Sequence, residues 1–296
     1  MFNSTEINWF LELSDFLKEP REVSSANISM LFHYTRNETK NKIVGENEIS
    51  FLLSRADSFL DKNEGIQVLE PYYHACGDLF EKSEVSERFY KFLMRINVED
   101  LKRTSKFWVF CFSKNANSVF LKRRYAANNG WILGTAFYTL ENLCDAFPEE
   151  LGELRLYEVE YSFDKIFEQI KETLRECYEK YVAVTQGMTE KYLLYQEKIL
   201  KKHIANWLSE YGLIYKGHDY SGEEEIRLLC NFRRKTLKRE NQEQGWRIEK
   251  KRKTVKLYFA KNRLGYATQE LEPCFDTRLN KPIVKVNEIR EVLKGK

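Results

Sequence analysis

Proline and histidine are scarce in this chain, with 5 and 4 among 296 residues, and no apolar run approaches membrane-spanning length. A crossing helix needs roughly 20 such residues, so no span and no membrane partner are expected. The opening, Met1-Phe2-Asn3-Ser4-Thr5-Glu6, lacks the basic and then apolar stretch of a secretory leader, which predicts a cytoplasmic protein. The 6 cysteines contain no Cys-x-x-Cys pair, and the histidines do not cluster with them. That argues against structural zinc, and no metal is expected. Cys111, Cys177 and Cys230 sit inside apolar patterns, as reduced buried thiols do. A glycine-rich phosphate loop is also missing. The net charge of +3 is too small by itself to indicate a nucleic-acid partner.

Aromatic residues, by contrast, are plentiful. With 20 Phe, 17 Tyr and 43% hydrophobic residues, the chain can bury a sizeable core, as one large domain or one domain with an insertion. Helical spacing appears over residues 3–18, from about Gln67 to Phe92, and over Ala116–Asn128, which Asn128-Asn129-Gly130 ends. Phe163 to Tyr181 and Tyr192 to Tyr211 keep the helical rhythm best, predicting a two-helix insertion over 163–211. Thr35–Val44 suits a short helix. Strands are expected at Ile28–Tyr34, Glu48–Ser54, Phe107–Phe112, Trp131–Phe137, Leu156–Tyr161, Glu223–Phe232, Lys256–Ala260, Tyr266–Leu271 and Pro282–Val286. Scattered strands and helices without a βαβ rhythm predict an α+β fold. Residues 233–256 stand apart, with eleven Lys or Arg against three Glu, and read as a basic loop or hairpin. Lys250, Lys251, Arg252 and Lys253, with Trp246 nearby, are candidates for gripping nucleic-acid phosphates; the plainer reading is a solvated loop.

Within Glu223–Phe232, Ile226, Leu228, Cys230 and Phe232 alternate with Glu223, Glu225 and Arg227. One strand face then packs while the other presents two carboxylates and a guanidinium. Three segments in fixed order frame the rest: Phe32-His33-Tyr34-Thr35, then Cys111-Phe112-Ser113 leading to Tyr125 and Gly130, then Glu223-Glu224-Glu225-Ile226-Arg227. Together with Asp61-Lys62-Asn63-Glu64-Gly65, they resemble a bacterial domain-of-unknown-function family associated with the ADP-ribosyltransferase-like fold. The resemblance covers about 31–135 and 210–232. Leu60, Lys62 and Lys122 depart from that family's pattern.

What the resemblance implies is a split, mostly antiparallel β core of ADP-ribosyltransferase type with flanking helices. It further implies an NAD-consuming transferase or NAD glycohydrolase, acting as a toxin or phage-defence effector in bacteria. NAD would be the substrate and the acceptor is unassigned. His33 and Tyr34 would bind the dinucleotide, His33 at the adenosine ribose, and Tyr125 would stack against nicotinamide.

The chemistry fits these residue types. Breaking the nicotinamide–ribose bond builds positive charge on the ribose, which a strand-borne carboxylate stabilises. The same group can deprotonate the incoming nucleophile. Glu225 is the expected catalytic carboxylate, and Glu223 orients the acceptor. Arg227 either meets a phosphate or pairs Glu225. Ser113 closes its strand through its hydroxyl beside the cofactor; with no His or Lys arranged as its base it is not a nucleophile. Blander readings stand beside these: a structural histidine, a rim tyrosine, and a solvated strand face carrying an ion pair. Asp61 and Glu64 also fit as helix N-terminal acids. The rival function is a non-catalytic nucleic-acid-binding module that uses the basic stretch.

Overall fold

A computed structural model describes residues 23, 28–43, 48–56, 63–104, 107–126, 130–232, 246–250, 254–260, 269–270, 273–276 and 281–284. The helix expected over 3–18, Asp61, and Lys251, Arg252 and Lys253 lie outside them. Two compact units divide the chain. A sheet unit takes Arg21–Phe59, Lys106–Val159 and Asp219–Lys296; a helical unit takes Met1–Pro20, Leu60–Ser105 and Glu160–His218.

The sheet unit is built on β1 (Met30–Thr35), β2 (Glu48–Arg55), β3 (Trp108–Ser113), β4 (Trp131–Ala136), β5 (Gly152–Glu158) and β6 (Glu225–Phe232). β7 (Trp246–Lys250), β8 (Thr254–Ala260) and β9 (Gln269–Glu270) extend it, and β10 (Pro273–Asp276) pairs with β11 (Lys281–Val284) separately. Every pairing between these strands is antiparallel. The sheet curls into a half-barrel, so the α+β expectation holds.

β3 organises the sheet. One edge runs beside β6 from Trp108↔Cys230 to Ser113↔Glu225. The other edge is divided: β2 pairs at Val109 and Trp108, whereas β1 pairs at Ser113 through Phe32. This division leaves the strand ends at Ser113 and Glu225 next to β1. Apolar side chains of alternate residues, among them Leu31, Phe51, Phe110, Leu133, Leu156 and Leu228, fill the core on one face. On the opposite face Phe32, Tyr34 and Ile132 pack with Leu121 and Ala126. The last two belong to a helical turn, Val119–Leu121, that runs on as a π-helical segment, Lys122–Ala126. The single helix expected over 116–128 is therefore shorter and wound differently. Helix Phe137–Asp145, which burial of Phe137, Leu140 and Leu143 fixes, has no counterpart in the sequence reading.

In the helical unit the two long helices run from Phe163 to Thr185 and from Glu190 to Ile214. They do not form a body by themselves. Helices Leu69–Glu81, Glu87–Leu93 and Val98–Thr104 share their core, which includes Tyr72, Leu79, Phe89, Leu174, Ile204 and Leu208. The expected stripe from Gln67 to Phe92 is broken in two, because Ser83 turns the chain at φ 57°. Ser86 then starts the next helix by accepting from Phe89 N at 3.3 Å. Arg88 ties the unit together, reaching Glu190 and Glu197 at 2.8 Å each. Among the described residues, no helix is long and apolar enough to cross a membrane.

Candidate functional site

The strands that carry Tyr34, Ser113 and Glu225 are brought together by register. Phe32 faces Ser113 across β1 and β3, Ser113 faces Glu225 across β3 and β6, and Cys111 faces Arg227. Alternation puts Tyr34 on the face of Phe32, so all these polar groups share one face of the sheet, where Phe32 and Tyr34 pack against Leu121 and Ala126.

That face is polar but not solvated. Arg227 is 0% exposed, Glu225 5% and Glu223 3%. Arg227 Nε donates to Glu225 Oε1 at 3.0 Å and its Nη2 to Oε2 at 3.1 Å, a two-point pair that fixes the carboxylate plane. The reading of an open strand face is thus replaced by a buried ion pair.

Glu223 does not reach the cluster by strand alternation. It ends a 3-10 turn, His218–Glu223, and Glu224 follows at φ 43°, a left-handed conformation uncommon for a residue with a side chain. Hydrogen bonds hold this corner. Ser113 Oγ donates to the Glu223 carbonyl at 2.7 Å and accepts from Asn115 N at 3.0 Å. Asn115 Nδ2 donates to Glu224 Oε1 at 2.9 Å, and Lys114 N to the Glu224 carbonyl at 2.9 Å. Ser113 therefore does close its strand through its hydroxyl.

Tyr34 OH donates to the Asn115 carbonyl and accepts from Ser118 N at 3.1 Å. Burial pushes this phenol up to about 12, against the lowering effect of the Ser118 hydrogen bond and with the Glu224 charge adding to the rise. Ser118 in turn caps the helical turn at Leu121 N, 3.2 Å away. On the π-helical segment, Arg124 reaches Glu223 at 3.8 Å while its guanidinium lies 5.6 Å from the Phe120 ring and 5.5 Å from the Tyr125 ring. Phe120 and Tyr125 are exposed. π-Helical turns recur at functional sites because the wider turn redirects side chains. Here they present a cation and two rings at the surface, joined to the buried acids through Arg124.

His33 is not among these groups. It alternates with Tyr34 and points to the apolar core face, where its ring stacks on Phe110 at 4.3 Å and meets Phe112 edge-on at 6.4 Å. Its Nδ1 donates to the Cys111 carbonyl at 2.9 Å. Burial lowers its pKa to about 4, only partly offset by that hydrogen bond, and keeps it neutral. A single cavity lined by imidazole, phenol and acid is therefore not what the strands build: His33 and Glu225 lie on opposite faces of the sheet.

Elsewhere, Glu64 pairs with buried Lys216 at 3.3 Å. The N-cap residue of helix Leu69–Glu81 is Val68, whose side chain makes no capping hydrogen bond. Lys250 ends β7, and Thr254 begins β8. Sequence reasoning gave no role to Asn115, Arg124 or Glu224. The neighbour relation of Arg124 to Tyr125 was the available signal for one of them; the other two depend on turns that no periodicity marks. No group of three or more His, Cys, Asp or Glu is placed to hold a metal among the described residues.

No protein-family model matches this chain, and neither a curated protein nor a solved structure does.

Proposed function

We propose that the sheet unit is an NAD-consuming transferase or glycohydrolase of ADP-ribosyltransferase type, working at the cluster around Glu223, Glu225 and Arg124. The observation that supports this reading is the convergence of three sequence segments, represented by Tyr34, Ser113 and Glu225, through strand register.

The roles follow from exposure and charge. Arg227 is spent on Glu225 inside the protein, so the pyrophosphate falls to Arg124, whose side chain is 41% exposed. Tyr125 and Phe120 offer flat faces to nicotinamide or adenine. Glu225, oriented by Arg227, and Glu223 supply negative potential where the ribose turns cationic. As the ribose C1–nitrogen bond breaks, its electron pair leaves with nicotinamide. The acceptor oxygen or nitrogen adds to C1, and its proton passes to a carboxylate, Glu223 being the one nearer Arg124. His33 supports β1 from the other face.

Free nicotinamide released from NAD is the direct readout. Arg124→Ala and Tyr125→Ala remove exposed groups and keep the fold, and each is expected to cut release about tenfold or more, roughly 1.4 kcal/mol of barrier. NAD is also expected to raise the melting temperature. A purified chain that releases no nicotinamide and gains no stability from NAD would remove this function.

A second reading draws on the paired strands β7 and β8, which the basic run joins at Lys250 and Thr254. In that reading the chain binds nucleic acid and its affinity falls steeply with salt. Neutralising Lys250, Lys251, Arg252 and Lys253 together would then abolish binding, while Arg124→Ala and Tyr125→Ala would leave it unchanged.

A further inference from the structure

Gly77 stands inside helix Leu69–Glu81, four residues from its end. Glycine weakens a helix interior relative to alanine, so such a position calls for a packing reason. The fold supplies none, since a methyl group at Gly77 would meet nothing within 4 Å. What the missing side chain does is leave bare the floor of a cavity of about 390 Å³, lined also by Tyr73, His74, Asp78, Glu81 and Phe167. Tyr73 and His74 line a second cavity too, of about 610 Å³, with Leu69, Glu70, Val98 and Glu99. The two meet at Tyr73 and His74 on one helix face, and together they form a groove.

The groove has an apolar and aromatic floor and an acidic rim. Among the described residues, no Lys or Arg lines either cavity. Asp78 is already neutralised, by Lys82 at 2.9 Å and Lys171 at 2.5 Å. Among the described residues no cation pairs with the carboxylates of Glu70, Glu81 or Glu99, so the outstanding negative charge sits on the rim.

We propose that this groove docks a Lys- or Arg-containing, partly apolar peptide segment of a partner protein, laid across Gly77. A peptide backbone approaches closest where the helix has no side chain. Apolar residues of the segment cover Leu69 and Val98. Its cationic heads reach Glu70, Glu81 and Glu99, while their stems lie along the rings of Tyr73 and Phe167. An acidic segment would meet the same carboxylates as repulsion, which supplies the discrimination.

The test titrates the full-length chain into a fluorescein-labelled peptide of alternating Leu and Lys, about ten residues long, the span of a groove-bound motif. A peptide of alternating Leu and Glu is the control. Binding is expected for the first alone. Gly77→Leu fills the groove without touching the core and is expected to weaken binding about tenfold or more, with an unchanged circular dichroism spectrum. Should Gly77→Leu fold poorly, Gly77→Ala is expected to weaken binding less but in the same direction. Replacing Glu70, Glu81 and Glu99 together by Gln is expected to abolish the salt dependence. Equal binding of both peptides, or full affinity in the folded Gly77 variants, overturns the proposal.

Discussion

Arg227 and Glu225, two residues apart on β6, grip each other through two hydrogen bonds of 3.0 and 3.1 Å with no solvent reaching the guanidinium. Removing one partner strands the other charge in a medium that cannot hydrate it. Arg227→Met is therefore expected to destabilise the protein by about 3–5 kcal/mol. The double variant Glu225→Met with Arg227→Met removes both charges and is expected to recover most of that loss. Urea unfolding measures both. A single variant as stable as the parent would show that the pair contributes nothing to the fold. The same reasoning makes Glu225→Gln a poor catalytic probe, because lost activity and lost stability would arrive together.

Tyr34 joins β1 to the corner after β3 through one hydroxyl, which donates to the Asn115 carbonyl and accepts from Ser118 N. Tyr34→Phe leaves both partners short of a hydrogen bond in a buried place. The expected cost is about 1–3 kcal/mol, read from the midpoint of chemical unfolding. The phenol also carries a pH signature. Its pKa stands at about 12 in the fold against 10.0 ordinarily, so the unfolded chain loses this proton first. Its contribution is complete below pH 10 and is lost as pH rises towards 12. Tyr34→Phe is expected to flatten that part of the alkaline limb, and an identical limb in both proteins would contradict the burial.

Much of the fold could be read in advance because strands and long helices advertise themselves by period. Ile226, Leu228, Cys230 and Phe232 alternate cleanly, and Phe163 to Tyr181 keeps an unbroken helical stripe. The site was only half legible. Period two already separates His33 from Tyr34, since neighbours on a strand must face opposite ways, yet their adjacency in one motif invites grouping them. Burial of Glu225 and Arg227 could not be read from β6 itself. Charges alternating along a strand read as a solvated face, whereas these two side chains are 5% and 0% exposed and grip each other. Glu223 and Glu224 sit in a 3-10 turn and a left-handed corner, where no repeating pattern exists to be read.

His33 offers a test of its place in the core. The folded chain resists protonating it until about pH 4, whereas an ordinary histidine takes its proton near 6.5. Its neutral form thus supports the fold fully above pH 6.5, and that support is lost as pH falls towards 4. His33→Phe keeps a ring against Phe110 but has no proton to accept. Relative to the parent, it is expected to gain stability steadily across that interval. A parallel acid limb in both proteins would mean the imidazole is hydrated. Because the ring faces away from Arg124 and Glu223, the rise in melting temperature with NAD that the proposed function requires is expected in the His33→Phe protein as in the parent.

Two helical glycines should respond to alanine with opposite signs. At Gly77 there is open space, and alanine is expected to stabilise the protein by roughly 0.5–1 kcal/mol through helix propensity. At Gly212, in helix Glu190–Ile214, a methyl group would come within 2.1 Å of the Gly65 carbonyl oxygen. That contact is with backbone, which has no rotamer to yield. The propensity gain of about 1 kcal/mol at Gly212 is then outweighed by overpacking, for which about 1–3 kcal/mol is typical and more is expected against backbone. Unfolding midpoints of the two variants decide the matter. If Gly212→Ala also stabilises, the close approach of Gly65 to this helix does not hold, and the 63–67 turn must pack elsewhere.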